Sequence, residues 1–424
     1  MAKLKITRPK VKEGEPVGGS QQANIRVRMY NVGFGDCFLV QIPDNPRPKK
    51  VVIDCGSLKN KRYNIQQISD RLIADVTDDD GVARIDLLVM SHRHADHISG
   101  FTNKKWATVE VGEVWMPWIE SPTDPEAKKL WKKQKERAKA LKFAVENRAT
   151  LGLMLDPLLA DVAAAALSNE DCLAVLHGGF AKKVAPKFYP QGDKVVEKVE
   201  CAALPGVDIF VLGPPRTRDT LNQADPPSNQ ILLDGFNIDI DGNREKVRPF
   251  GEDWVDESAG GLLLDLDQQA IDEAASQRRL YEALAADLDA ELNNTSLILV
   301  FKVGEDYLLF PGDAQWGPWE RVFSDEQAVN LLKKVTFLKI GHHASHNATP
   351  ATLLRDLVGD ENKYGGKVRA MISMTPYSRW KGIPHPALLA ELNKREDPFV
   401  ISDAPAPVDG VTQEGDYWLE FELP

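Results

Sequence analysis

The segment His92-Arg93-His94-Ala95-Asp96-His97, entered from the largely apolar run 85–90 and followed by Gly100, constrains this chain more than any other feature. Three imidazoles and a carboxylate within six positions are costly to pack and natural to metallate. Neutral imidazole and carboxylate are the ligands that zinc and related divalent ions take at about 2.0–2.2 Å, and a turn can aim several of them at one point. Histidine supplies 8 of the 424 residues. Chance would therefore place H-x-H-x-D-H in roughly one such chain in several thousand, which weighs against the competing reading of a solvated polar turn. The cluster sits where a buried strand exits into a loop, the usual place for chemistry in layered α/β folds.

The rest of the chain alternates in the same style. Residues 1–23 carry Lys3, Lys5, Arg8, Lys10 and Lys12 among scattered Pro and Gly, which reads as a mobile basic arm. Strands are expected over 25–30, 37–42, 50–53, 85–90 and 113–116, with a helix over 65–73. From 120 to 190 the chain turns rich in Ala, Lys, Leu and Glu, the composition of a helical insertion. Strand character returns at 207–212. A long polar loop over 216–260 follows, then an amphipathic helix bearing Ile271, Ala275, Leu284, Leu288 and Leu292 on one face. A hairpin of 296–303 with 307–310 leads into Gly312-Asp313. A helix to Leu332 is expected next, with Ser324 as its N-cap and Gln327 completing a capping box. Strands at 335–340 and 368–373, a helix over 386–393 and short strands at 400–401 and 417–421 close the chain. Two β-rich parts, 24–119 and 191–424, separated by the insertion, predict an α/β fold of two facing sheets flanked by helices.

Composition narrows the partners. The chain is 43% hydrophobic and 27% charged, as in soluble globular proteins. It has no run near the ~18 apolar residues of a membrane span. Its first residues lack an apolar signal core, so a cytoplasmic protein is expected. Cys37, Cys55, Cys172 and Cys201 lack C-x-x-C spacing and read as buried, reduced thiols. A net charge of -11 argues against an indiscriminate nucleic-acid coat. It leaves room for a local basic strip over 128–142, where Lys128, Lys129, Lys132, Lys133, Lys135, Arg137, Lys139 and Lys142 flank Trp131. Such a strip can track a nucleic-acid backbone with Trp131 stacking on a base, although most charge runs are solvated faces. Arg379 and Lys381 would suit a phosphate-bearing substrate, and 120–190 offers a docking surface for a protein partner.

These motifs resemble a known family. Ser91 to His97 followed by Gly100 matches the metallo-β-lactamase fold signature S-H-x-H-x-D-H-x-x-G, and Asp54 at a strand end matches its first-motif aspartate. More narrowly, Asn31-Val32-Gly33-Phe34-Gly35-Asp36, Asn293-Asn294-Thr295-Ser296-Leu297, Phe310-Pro311-Gly312-Asp313-Ala314 and Lys339-Ile340-Gly341-His342-His343-Ala344-Ser345 look like the hydrolase domain of ComEC-type competence proteins. The similarity covers 24–118 and 200–390 in the same order and omits the arm and the insertion. The membrane-channel region of those proteins is missing here, which suggests a free-standing soluble relative.

The resemblance implies an αββα metallo-β-lactamase sandwich with two divalent ions, zinc or manganese, at one edge of the paired sheets. His92 and His94 would hold the first ion, Asp96 and His97 the second, and Asp313 would bridge them. The last ligand would come from His342 or His343. His343 lies one step nearer the family's G-H-G histidine, and both stay open. Asn293 stands where most relatives carry a histidine; an amide oxygen binds zinc less well than imidazole but suits harder ions such as Mn²⁺, so the first site would be weakly held. His385 matches a late Tyr-Gly-His-Pro motif as a ligand or an acid contacting substrate.

Two such ions can hold one water as a bridging hydroxide oriented by Asp96 and Asp313. His343, His346 or His385, whichever is not a ligand, would protonate the leaving group. Ser345 and Ser378 lack a G-x-S-x-G setting. The expected activity is phosphodiester hydrolysis, more specifically a nuclease. The alternatives are hydrolysis of a small ester, lactone, thioester or cyclic nucleotide, or a metal-stabilised component of a multi-protein system.

Overall fold

Short apolar runs punctuated by Gly, Pro, Asn and Asp form strands throughout the chain. The computed structural model describes residues 24–58, 60, 62–148, 159–160, 162–163, 169–232, 268–375, 383–403 and 408–423. The basic arm, most of the polar stretch 216–260, Ser378, Arg379 and Lys381 lie outside the described residues. Six strands come first: Ile25–Tyr30 (β1), Cys37–Ile42 (β2), Lys49–Cys55 (β3), Arg84–Val89 (β4), Glu110–Pro117 (β5) and Lys187–Tyr189 (β6). Seven more follow: Glu197–Val199 (β7), Asp208–Gly213 (β8), Ile298–Val303 (β9), Asp306–Phe310 (β10), Phe337–Lys339 (β11), Arg369–Ile372 (β12) and Phe399–Ile401 (β13). The hairpin Val411–Glu414 (β14) and Trp418–Leu423 (β15) ends the chain.

Two mixed sheets result, ordered β14-β15-β1-β2-β3-β4-β5-β6 and β13-β12-β11-β10-β9-β8-β7. The last strand returns to the first sheet, where Ile25 pairs with Leu423 and Tyr30 with Trp418. In each sheet one side is antiparallel and the other, β3 to β6 or β10 to β13, is parallel. Parallel strands are covered on both faces, which explains their unbroken apolar runs.

Val27, Phe38, Val51 and Leu87 of the first sheet share one apolar cluster with Ile209, Leu299, Leu308 and Phe337 of the second. The sheets therefore pack face to face. Opposite that core, Leu39, Val52 and Leu88 meet Ile68 and Leu72 of the helix Ile65–Asp75. The outer face of the second sheet, with Val300, Leu309 and Ala370, meets Trp319, Leu332 and Leu388 from later helices. Each fully buried aliphatic or aromatic side chain of this kind contributes about 1.5–3 kcal/mol. The architecture is α/β, with two mixed sheets and helices on their outer faces.

Within 120–190 lie the helix Pro125–Glu146, the helix Glu170–Leu176 and β6. Asp124 caps the first helix by accepting from the Glu126 and Ala127 amides, with Pro125 just inside. Ala138, Leu141 and Ala144 pack it against Ala285, Leu288 and Leu292 of the long helix Gln268–Asn293. One local expectation is corrected. The segment before Leu332 forms two helices, Trp316–Phe323 and Glu326–Leu332, and Asp325 rather than Ser324 caps the second, through the Ala328 amide. The Ser324 hydroxyl donates backwards to the Arg321 carbonyl and cannot serve the next helix. All four cysteines are buried and none is disulfide-bonded. No helix among the described residues is long and apolar enough to cross a membrane.

Candidate metal centre

Apart from Asn293, which ends the helix Gln268–Asn293, the elements that feed the site do so from the carboxyl ends of strands. Asp54 ends β3, residues 91–97 follow β4, Asp313 follows β10, His342 and His343 follow β11, and Ser373 follows β12. This is where open α/β sheets place ligands. The two sheets are tied together here: the Leu297 amide donates to the Ser91 carbonyl at 2.9 Å, and the Ser373 hydroxyl to the Gly35 carbonyl at 2.5 Å. Gly35 and Gly56 permit the approach, because a side chain at either would collide with the backbone around Asp96.

The central group is Asp96, His97, Asp313 and His343, which can each direct one ligand atom into a space where all four atoms lie within 4.8 Å of one another. His97 Nε2 stands 3.0 Å from Asp313 Oδ2, and His343 Nε2 stands 3.1 Å from Asp96 Oδ2. The far nitrogens are anchored. His97 Nδ1 pairs with Asp54 Oδ2 at 2.8 Å and His343 Nδ1 with the Ser373 carbonyl at 2.8 Å, so both rings present Nε2 inward. Asp54 is itself fixed by the Ser91 amide at 2.7 Å and hydroxyl at 2.6 Å, and it holds a left-handed φ of 57°. Of the two histidines left open by sequence, His343 enters the group. His342 turns toward Gln315, 3.5 Å away.

His92 and His94 form an adjoining group. Their rings stand 4.8 Å apart, with His92 Nε2 3.0 Å from His94 Nδ1. Burial drives both below the ordinary imidazole value, which keeps them neutral as metal ligands must be. Asn293, the last residue of the long helix, adjoins His94. His94 Nε2 and Asn293 Oδ1 are buried without a hydrogen-bond partner among the described residues.

Charge makes the same case. Asp36, Asp54, Asp96, Asp289 and Asp313 converge here, and Lys339 is the one permanent cation among the described residues of this group. Burial by itself would lower His97 and His343, yet the surrounding carboxylates, Asp313 foremost, hold both above the ordinary imidazole value. Protons on these rings balance buried anions that a divalent cation would balance instead. The orphaned donors and the excess carboxylate fit a metal ion, so the buried Asp and His groups could hold one.

Two further features shape the site. Lys339, 2% exposed, donates to Asp36 Oδ2 at 2.5 Å, Asp313 Oδ1 at 3.0 Å and the Gly312 carbonyl at 2.9 Å. Asp313 is thereby divided: Oδ1 takes Lys339 and the His342 amide at 3.0 Å, while Oδ2 faces the imidazoles. The available signal was a lysine inside the apolar run 335–340, since lysine is almost never fully buried unless paired. The second feature is the turn His342, His343 and Ala344, whose φ values of 44°, 51° and 65° are left-handed without a glycine. Such a conformation costs roughly 1–2 kcal/mol per residue and is usual only where surroundings enforce it.

His346 and His385 lie beyond this turn, their rings 6.1 Å apart, with the His385 amide donating to the Ala344 carbonyl at 2.8 Å. Neither belongs to the four-residue group. His346 Nε2 is 3.5 Å from Asp225.

Arg93 departs on the opposite side of the extended segment from His92 and His94, as period-two geometry requires. It forms a buried two-bond pair with Glu120 at 2.8 and 2.6 Å and lies over the Trp131 ring at 4.0 Å. Arg93 thus covers one face of the Trp131 ring, which stays half-buried. Its helix also spends several cations on local partners, Lys129 on Glu126, Lys135 on Glu170, Arg137 on Glu291 and Lys142 on Glu146. Lys128, Lys132, Lys133 and Lys139 have no ion pair among the described residues; Lys128, Lys132 and Lys139 are exposed and Lys133 is half-buried. Trp131→Ala is expected to lower the unfolding free energy by about 2 kcal/mol through lost packing and an uncovered Arg93. Urea unfolding reads this directly. Unchanged stability with weakened polymer binding would return the ring to substrate contact.

No protein-family model matches the chain, and no curated protein matches it.

Proposed function

We propose that this chain is a metal-dependent phosphodiesterase acting on nucleic acid, built on a metallo-β-lactamase sandwich similar to the hydrolase domain of ComEC-type competence proteins. One observation carries the reading. Two adjoining sets of inward-aimed donors, His92 and His94 with Asn293, and Asp96, His97 and His343 with Asp313 between them, occupy the carboxyl edge shared by two packed sheets. Two ions are proposed, the first held by His92, His94 and Asn293 and the second by Asp96, His97 and His343, with Asp313 serving both.

Bound there, divalent ions supply Lewis-acid stabilisation of the negative charge that develops at phosphorus-bound oxygens. The protein's own groups do the positioning. Asp54 and the Ser373 carbonyl fix the tautomers of His97 and His343, and Lys339 holds Asp313 so that one oxygen stays directed into the site. His346 and His385, at the rim beside the His342–Ala344 turn, are the proposed proton donors to the departing alkoxide. Lys128, Lys132, Lys133 and Lys139 form the proposed contact with the polymer backbone.

The test is cleavage by the chelated and reloaded protein, with Mn²⁺ or Zn²⁺, of single- and double-stranded DNA, RNA, cyclic nucleotides and a panel of lactones and thioesters. Polymer cleavage that disappears in Asp96→Ala is expected. Turnover confined to a lactone or thioester would replace the reading, and no turnover with one or two bound ions would leave a metal-stabilised interaction module. Neutralising Lys128, Lys132, Lys133 and Lys139 together is expected to weaken polymer binding and flatten its salt dependence while sparing a small chromogenic diester. Equal effects on both substrates would remove the strip from binding.

A further inference from the structure

Asp289 is a carboxylate at this site that no motif includes. It lies one helical turn before Asn293, on the same face of the helix Gln268–Asn293, and accepts a hydrogen bond from Asn293 Nδ2 at 3.0 Å. Its charge is felt by His342, Asp96 and Asp313, yet it lies outside the group whose ligand atoms converge within 4.8 Å. Among the described residues its side-chain hydrogen-bond partner is the amide of Asn293, which is fully buried.

A primary amide has two chemically different ends. Left to itself, Asn293 could present either NH₂ or carbonyl oxygen toward His94, and only the oxygen can bind a cation. An ionised carboxylate accepts hydrogen bonds and donates none, so it decides which end faces it. With Nδ2 committed to Asp289, Oδ1 must face away, and Oδ1 is buried without a hydrogen-bond partner among the described residues.

We propose that Asp289 is the positioning residue for Asn293, fixing its amide so that Oδ1 serves the first metal position. The arrangement repeats what Asp54 does for His97: a carboxylate, half-buried in the case of Asp289, takes the N–H of a ligand residue and turns the lone pair inward. It also explains how an asparagine can stand where an imidazole would be the stronger ligand, because the amide arrives pre-oriented. The inference rests on the two-ion reading above and adds a residue to it.

The experiment is calorimetric titration of the chelated full-length chain with Mn²⁺ and, separately, Zn²⁺, in four proteins: wild type, Asp289→Ala, Asn293→Asp, and the double variant. A carboxylate at 293 has two equivalent oxygens and no wrong end, so it has no need of Asp289. Asp289→Ala is expected to weaken one of two binding events by about 10–100-fold and leave the other unchanged. In the Asn293→Asp background the same change should cause no comparable loss. Equal weakening in both backgrounds would make Asp289 a direct ligand or a bulk charge and overturn the proposal. Two unaltered binding events in Asp289→Ala would overturn it while leaving the two-ion reading intact. A wild-type chain that binds no ion would overturn both. The Asn293→Asp pair keeps the comparison informative should Asp289→Ala alone fold poorly.

Discussion

Asp313→Ala is expected to cut bound metal to at most one ion per chain, abolish diester hydrolysis and destabilise the ion-free protein by about 3–5 kcal/mol. The three effects share one cause. Asp313 Oδ2 is the oxygen shared by the imidazoles of His97, at 3.0 Å, and His343, at 3.7 Å, while Oδ1 accepts from Lys339 and the His342 amide. Removing the carboxylate takes away the proposed bridge and leaves the buried Lys339 ammonium with Asp36 as its one carboxylate partner among the described residues. It also unties His342, which opens a turn already held in a left-handed conformation. Asp313→Asn separates the parts, since its amide oxygen can still accept from Lys339 and the His342 amide. That variant should recover most of the stability and little of the metal. Elemental analysis and urea unfolding under chelator read the two quantities, and an Asp313→Ala protein retaining two ions per chain would dispose of the bridging role.

The site divides into what local sequence can reveal and what only the fold assembles. His92 to His97 was readable because its ligands lie within six consecutive positions, and the alternation of an extended segment sends His92 and His94 to one side. Asp54 and Asp313 were readable as acids at strand ends, and the strand pattern itself follows from apolar runs bounded by turn residues. His343 over His342 was not decidable from spacing: the choice depends on a left-handed turn that no propensity would suggest for His-His-Ala. Asp36, in the turn before β2 of one sheet, and Lys339, in β11 of the other, are far apart in sequence, so their pairing at 2.5 Å has no local signature. Asp289 had a faint one, an acid four positions before Asn293 on a helix. Arg93 carried no sequence signal of its role: set between two candidate ligands, it fastens this loop to Glu120 and to the helix bearing Trp131.

That fastening bears on the insertion. The helix Pro125–Glu146 touches the loop 91–97 through Trp131 and Arg93, and the long helix through Ala138, Leu141 and the Arg137–Glu291 pair at 2.7 Å. The long helix in turn carries Asp289 and Asn293. One helix outside the sheets therefore contacts the supports of both the histidine pair and the amide, so its position and the geometry of the proposed first metal site are physically connected.

Lys339→Met should expose how the buried carboxylates are balanced. Methionine fills nearly the same volume, so packing changes little and the loss is electrostatic. Burial by itself would drive the ammonium to release its proton, yet Asp313 and Asp36 hold it above the ordinary lysine value. These ion pairs are 2% exposed on both sides, which leaves solvent little part in screening them. Deleting one partner of such a pair costs about 3–5 kcal/mol, because the abandoned charge cannot reach water. The abandoned charges here are Asp36, whose Oδ1 has no hydrogen-bond partner among the described residues, and Asp313. Lys339→Met combined with Asp36→Asn should then recover a large part of the loss, since it withdraws one of the two stranded carboxylates. Adding Mn²⁺ should stabilise Lys339→Met more than the wild type, as the ion supplies positive charge where the ammonium no longer does. Urea unfolding of the chelated proteins gives the first quantity and the thermal midpoint with and without Mn²⁺ the second. A loss below about 1 kcal/mol, in the range of exposed pairs, would show that water reaches this group and that Lys339 does not hold Asp313.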